Sequence, residues 1–241
     1  AKINLYLDVL KKRRDGYHNI ETIFQTVSLA DELTFLNDTV ISLTCTGENL
    51  DTGTSNLVYR AAAALKSAAG YSRGARIQLV KRIPVSAGLA GGSANAAATF
   101  IALNKLWDLK LTVPQLLPLA RKLGADVAYC MYGGPVAATL RGDSLSPLPA
   151  VSGLWFVLVH PPIAVSAAQV YGHPQLGHSN ETPFAGRTSG FRKAIKAFAA
   201  RDMKSVVFNR MEAPVFNASK HLAPIKRQLL ELGCEAAGMS G

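Results

Sequence analysis

Ile83-Pro84-Val85-Ser86-Ala87-Gly88-Leu89-Ala90-Gly91-Gly92-Ser93-Ala94-Asn95-Ala96-Ala97-Ala98 is a glycine-rich turn that runs straight into an alanine-rich helix. Three glycines within five positions let backbone N–H groups turn inward without Cβ clashes. Ser93 stands where a helix N-cap is expected. The first helical turn offers unpaired N–H donors and the positive end of the helix dipole. Together these features form a cradle for phosphate. The plainer alternative stays open from the glycines alone: a tight turn and a cap, with no ligand.

Two better-known phosphate signatures are absent. No G-x-x-x-x-G-K-[ST] occurs, and the glycines at 88, 91 and 92 do not fit G-x-G-x-x-G. The turn is preceded by Ala75-Arg76-Ile77-Gln78-Leu79-Val80, which reads as a strand, and by the basic pair Lys81-Arg82.

Composition bounds the function classes. With 49% apolar and 17% charged residues, the 241-residue chain can bury a large core, and general disorder is excluded. A net charge of +10 suits an anionic partner: nucleic acid, a membrane surface or a phosphorylated small molecule. The basic residues are scattered. Lys11-Lys12-Arg13-Arg14 and Lys81-Arg82 each read as solvated basic faces, and no aromatic-and-basic ribbon suited to single strands appears. Cys45, Cys130 and Cys234 form no C-x-x-C pair, which fits reduced thiols in a cytoplasmic protein. The histidines have no zinc-ligand spacing. The longest apolar runs, such as 154–159, are too short to span a membrane, and no signal peptide is visible. The chain lacks an initiating Met and stops at Gly238-Met239-Ser240-Gly241, so truncation is expected at its C-terminal end, inside a second glycine turn.

Periodicity outlines the elements. Alternation over Lys2–Val9 predicts a strand with Ile3, Leu5, Leu7 and Val9 on its buried face. Further strands are expected at 20–28, 32–35, 40–46, 77–80, 136–140 and 155–160. Helices are expected at 56–69, 93–107, 112–123, 191–200, 203–211 and 220–232. Thr112 and Gln115 form a capping box, Gly70 and Gly124 are stops, and Pro118 should bend or shorten its helix. The polar stretch 173–190 reads as a loop or hinge. The expected class is α+β, with mixed or antiparallel sheets and helices in two lobes. Residues 1–150 would form an N-terminal lobe carrying the glycine turn, and 151–241 a mostly helical C-terminal lobe.

Three separated segments now converge on one family. They are Ala1-Lys2-Ile3-Asn4-Leu5-Tyr6-Leu7 followed by Asp15-Gly16-Tyr17-His18, the Pro84–Ala98 turn and helix, and Leu123-Gly124-Ala125-Asp126-Val127. The chain resembles the GHMP superfamily, the small-molecule kinases named after galactose, homoserine, mevalonate and phosphomevalonate. Within it the combination A-K-I-N-L with D-G-Y-H is similar to the 4-diphosphocytidyl-2-C-methyl-D-erythritol kinases. Met239-Ser240-Gly241 resembles the opening of the family's last glycine motif. Departures are Ala90 for the usual glycine, tolerable if its φ is negative, Ala94 for the usual serine, and Ala128-Tyr129 for the usual proline and aromatic.

The resemblance implies a two-lobed GHMP-kinase-like fold with the active site in the cleft between lobes. It implies an ATP-dependent kinase acting on the 2-hydroxyl of a cytidyl-diphosphate alcohol, with ATP and Mg²⁺. Homoserine or mevalonate as substrate, or a basic nucleic-acid-binding protein, are the rival readings. By the resemblance, ATP phosphates would be held along Pro84, Val85, Ser86, Ala87, Gly88, Leu89, Ala90, Gly91, Gly92, Ser93 and Ala94. Ser93 would be a phosphate donor or magnesium ligand, the other metal ligands being unknown. Asn56 and Leu57 would meet the adenine, although Asn56 alone reads equally as a cap. Asp126 would take the substrate proton and Lys2 would neutralise developing charge. Asn4, Tyr17, His18 and Tyr171 would line the cytidine pocket. A turn aromatic packed on the sheet is the plainer reading of Tyr17 and His18. Neither nucleic acid nor membrane is an expected partner, and the chain would be a monomer or homodimer.

Overall fold

The computed structural model describes residues 1–163, 165, 170–179 and 186–241. The chain divides into two compact units, and the division is not the expected one at residue 150. The first unit comprises Ala1, Val27–Val85 and Leu89–Gly133; the second comprises Lys2–Thr26, Ser86–Gly88 and Gly134–Gly241. The reason is strand pairing. The first two strands find their partners in the second half of the chain, so a sequential boundary would cut through a sheet.

In the first unit, β3 (Glu32–Asp38), β5 (Gly74–Val80) and β4 (Ser42–Thr46) form a three-stranded sheet in that order. β5 is central, antiparallel to β3 and parallel to β4. Gly74 is demanded by crowding, because a Cβ there would lie 2.1 Å from the Val40 backbone carbon. Four helices complete the unit: α1 (Leu57–Ala69), α2 (Gly91–Leu106), α3 (Val113–Leu123) and α4 (Ala125–Cys130). The alanines of α1 and α2 let these helices pack closely. Val58, Leu65, Phe100, Leu103, Leu116 and Val127 are buried here. Each such side chain contributes roughly 1.5–3 kcal/mol of transfer free energy.

Local signals decide most helix ends. Asn56 Oδ1 accepts from Val58 N at 2.9 Å, and Gly70 takes the left-handed conformation at φ 60°. Gln115 Oε1 accepts from Thr112 N at 2.8 Å. Helix α3 runs through Pro118, neither ended nor shortened by it. α2 departs from expectation. It begins at Gly91, two residues before Ser93, and Ser93 is therefore not its cap. The N-cap position is Ala90, at φ 53°, so the condition under which the alanine was expected to be tolerable, a negative φ, is not met.

In the second unit a five-stranded mixed sheet has the order β7-β6-β2-β1-β8. The strands are β1 (Lys2–Lys12), β2 (His18–Thr26), β6 (Val136–Thr139), β7 (Ser144–Pro147) and β8 (Phe208–Asn209). β1 is antiparallel to β2 and parallel to β8. The expectation of one buried face on β1 is corrected: residues Lys2–Leu10 are buried on both faces. Leu7 and Val9 pack with Ile20, Leu176, Met211 and Val215. The other face is polar yet buried, so its groups need partners. Lys2 and Asn4 bond each other, Asn4 Nδ2 donates to Thr22 Oγ1 at 2.8 Å, and Asp8 pairs with Arg210.

Helices α5 (Ser189–Ala199), α6 (Met203–Val206), α7 (Glu212–Ala218) and α8 (Leu222–Glu231) follow. The continuous helix expected at 203–211 does not form. Phe208 and Asn209 leave it to pair with Tyr6 and Leu7. Nor is 155–160 a strand. Trp155 is 96% exposed, and Val157, Leu158 and Val159 are exposed beside it. The loop expected at 173–190 contains a short 3₁₀ turn at Pro174–Leu176 and ends at Ser189; positions 180–185 lie outside the described residues.

Candidate active site

Asn56, Leu57, Pro84, Val85, Leu89–Ala94 and Asp126 belong to the first unit. Lys2, Asn4, Tyr17, His18, Ser86–Gly88 and Tyr171 belong to the second.

The first unit brings the start of α1 to the start of α2. A Cβ on Gly92 would lie 3.5 Å from Leu57 Cδ1, so the two helix N-termini are neighbours. Gly91 is needed for a different reason. A Cβ there would stand 3.0 Å from Ile83 Cγ2 and 3.1 Å from Lys81 Nζ. Close approach of the β5 exit, and not a special φ, dictates this glycine. The turn stores strain at two non-glycine residues, Ser86 (φ 57°) and Ala90 (φ 53°). Ser93, third residue of α2, keeps its hydroxyl in the first turn, where the N–H donors are unpaired. Asp126 is the second residue of α4, which packs on α2 and α3.

Lys81 was misread in sequence as part of a solvated basic face. Its side chain is 3% exposed and its ammonium lies 2.5 Å from Asp31, whose side chain is fully buried. Burial works against the charged Asp31 carboxylate. Hydrogen bonds from the Arg82 and Ile83 amides, Lys81 and Asn95 outweigh it and hold the carboxyl below its ordinary range. Asp31 had no sequence signal, since a lone acid before a strand is commonplace. The other basic cluster matches expectation: Lys11, Lys12 and Arg14 are exposed.

In the second unit, Lys2 Nζ donates to Asn4 Oδ1 at 2.7 Å and stands 5.1 Å from the Phe24 ring centroid. The shared strand face read from their i, i+2 spacing is observed. Asn4 N donates to Ser240 Oγ at 3.0 Å, which brings the last glycine segment to the first strand. That segment also meets the glycine turn, because a Cβ on Gly88 would lie 2.5 Å from the Ser240 carbonyl oxygen. Asn209 Nδ2 donates to Met239 O at 2.8 Å, and Glu212 accepts from Met239 N at 2.8 Å.

His18 and Tyr171 stack, with ring centroids 5.4 Å apart and planes 14° off parallel. His178, which no spacing singled out, stacks on His18 at 5.1 Å. Burial, then the neighbouring His178 and Lys12, lowers the His18 pKa and keeps its ring neutral. Tyr17 does not join this stack. It is 57% exposed, with the Arg141 guanidinium 4.1 Å from its ring centroid. Among the described residues no group of three or more His, Cys, Asp or Glu side chains could hold a metal ion. No helix among them is long and apolar enough to cross a membrane.

The profile of the GHMP kinases N terminal domain matches residues 56–134. A 4-diphosphocytidyl-2-C-methyl-D-erythritol kinase of Geobacillus kaustophilus is 39% identical over the whole chain, which spans 83% of that protein. The Pelotomaculum thermopropionicum enzyme of the same name is 42% identical, and the whole chain spans 84% of it. A solved 4-(cytidine 5'-diphospho)-2C-methyl-D-erythritol kinase superposes with a TM-score of 0.77 at 34% identity, covering all of this chain and 84% of that one. With identity of this order over its full length and the same fold, the chain belongs to the 4-diphosphocytidyl-2-C-methyl-D-erythritol kinase family of the GHMP fold.

Proposed function

We propose that this chain transfers the γ-phosphoryl group of ATP to the 2-hydroxyl of 4-diphosphocytidyl-2-C-methyl-D-erythritol. The observation that carries the reading is identity of 39% over the full chain with enzymes of that name. The Lys2, D-G-Y-H, glycine-turn and Asp126 segments that carry the resemblance are present, with Ala90 and Ala94 in the turn where glycine and serine are usual.

Phosphoryl transfer asks a protein for positioning and charge neutralisation more than for covalent help. Along the Pro84–Ala94 turn the backbone N–H groups from Val85 to Ser93, which include the first turn of α2, hold the nucleotide phosphates; Asn56 and Leu57, at the adjoining start of α1, meet the adenine. The Asp126 carboxylate orients the acceptor hydroxyl and takes its proton as the oxygen attacks the γ-phosphorus and the bond to ADP breaks. The Lys2 ammonium, fixed by Asn4, offsets charge on the transferring group. His18, stacked on Tyr171 and His178, presents its ring edge to hydrogen-bond the cytosine, and Tyr171 closes the base stack. Tyr17, turned toward Arg141, serves at the rim. The Ser93 hydroxyl is the protein oxygen that would hold a magnesium ion brought with the nucleotide, which would supply further charge neutralisation. Such an enzyme belongs with its ATP in the cytoplasm and works as a monomer or homodimer on a small molecule.

A coupled ADP-release assay tests this against three alcohols: the cytidyl-diphosphate compound, homoserine and mevalonate. Turnover is expected with the first alone, with a new phosphate monoester seen by ³¹P NMR. Turnover of homoserine or mevalonate in its place would refute the assignment.

A further inference from the structure

Asp31 lies just before β3 and far in sequence from the glycine turn, yet its carboxylate accepts hydrogen bonds on both sides of that turn. Oδ1 accepts from the backbone amides of Arg82 (2.7 Å) and Ile83 (2.8 Å), where β5 exits. Oδ2 accepts from Lys81 Nζ (2.5 Å) and from Asn95 Nδ2 (2.8 Å), in the second turn of α2. Asn95 is itself buried. The turn that binds phosphate in the reading above is thus a loop whose entry and exit are clasped by one carboxylate. The same carboxylate fixes the Lys81 ammonium against Gly91. A cation beside the positive end of a helix is unfavourable unless neutralised, and Asp31 supplies the opposite charge.

We propose that Asp31 is a positioning residue for nucleotide binding: by tying the β5 exit and Lys81 to Asn95 it sets where the N–H groups of the turn and of the first turn of α2 point. The inference rests on the kinase reading. Asp31 touches no substrate; it acts through the backbone at 82–83 and through the two side chains on Oδ2. A purely structural carboxylate would lower stability and the active fraction while leaving both Michaelis constants alone.

The Asp31→Asn variant tests the Oδ2 half. Its amide oxygen still accepts from the two backbone amides, but its NH₂ faces two donors, Lys81 and Asn95. Loss of a buried charged acceptor predicts that KM and Kd for ATP rise about tenfold or more, with KM for the alcohol and kcat within about threefold. Asn95→Asp, which sets carboxylate against carboxylate, raises the ATP constants likewise. The double variant Asp31→Asn/Asn95→Asp restores a complementary amide–carboxylate pair beside Lys81. It is expected to return Kd for ATP to within about threefold of the parent. Unchanged ATP constants in a folded Asp31→Asn protein overturn the proposal. So does a double variant that regains neither fold nor ATP affinity. Calorimetric ATP binding needs no alcohol. A parent chain that binds ATP but phosphorylates none of the three alcohols therefore ends the functional assignment, while the clasp is still judged by binding.

Discussion

In the proposed reaction a single carboxylate, at position 126, separates binding from chemistry. Asp126→Asn keeps the volume and loses the base, so kcat is expected to fall by about 10²–10⁴, while calorimetric ATP affinity stays near that of the parent. An active Asp126→Asn enzyme would place the base elsewhere. His18 makes the complementary case. Its ring, stacked on Tyr171 and His178, is held neutral by burial. The unfolded chain therefore binds a proton first as pH falls, and stability is lost from the ordinary value of 6.5 down through the lowered folded one. The His18→Gln variant removes this component, so its urea midpoint is expected to change less than the parent's between pH 7 and pH 5. Parallel pH dependence in the two proteins would contradict it. His18 was legible in the sequence through the D-G-Y-H segment. His178 was not, because its meeting with His18 depends on chain folding across 160 positions and not on any ligand spacing.

Elements were readable where the signal was local. Asn56, Gly70 and Thr112 each act within a few residues of themselves, and all three sit at the helix ends read from sequence. The α2 start was misplaced because two glycines look like helix breakers, whereas here Gly91 and Gly92 are the first two helical residues, Gly91 at a place where Ile83 and Lys81 crowd any Cβ. β8 was taken for helix because two residues carry no period of their own; only β1 makes them a strand. The strained Ala90 gives a test at this scale. Ala90→Gly relieves a left-handed alanine, so a gain of about 0.5–1 kcal/mol is expected, or roughly 1–4 °C in melting temperature. Gly88→Ala acts in the opposite direction. It combines φ 71° with a Cβ 2.5 Å from the Ser240 carbonyl oxygen, so scanning calorimetry should show a lower melting temperature. A neutral Gly88→Ala would mean that the 239–241 segment is not held against the turn.

At the scale of the whole molecule, the fold class was legible and the partition was not. Strand and helix periods announce a mixed α+β chain, but they do not say that β1 and β2 join residues beyond Gly134. The exposed run 154–159 shows the same limit: apolar, strand-like residues form no strand among the described residues. The buried polar face of β1 ties the distant parts together. Asp8 is paired with Arg210, from the residue after β8. Arg210→Ala leaves Asp8 buried without its guanidinium, and urea unfolding is expected to show a loss of about 3 kcal/mol. Loss of less than about 0.5 kcal/mol, the level of an exposed pair, would show that the bridge has little structural weight.

The parallel pairing of Tyr6 and Leu7 with Phe208 and Asn209 also dictates timing on the ribosome. β1 is made about 200 residues before β8, the strand that covers its outer edge at Tyr6 and Leu7. At about 5–20 residues per second its outer edge waits roughly 10–40 s for its mate. Throughout that interval the Tyr6–Leu7 edge that β8 will cover is an open template for any other strand that meets it.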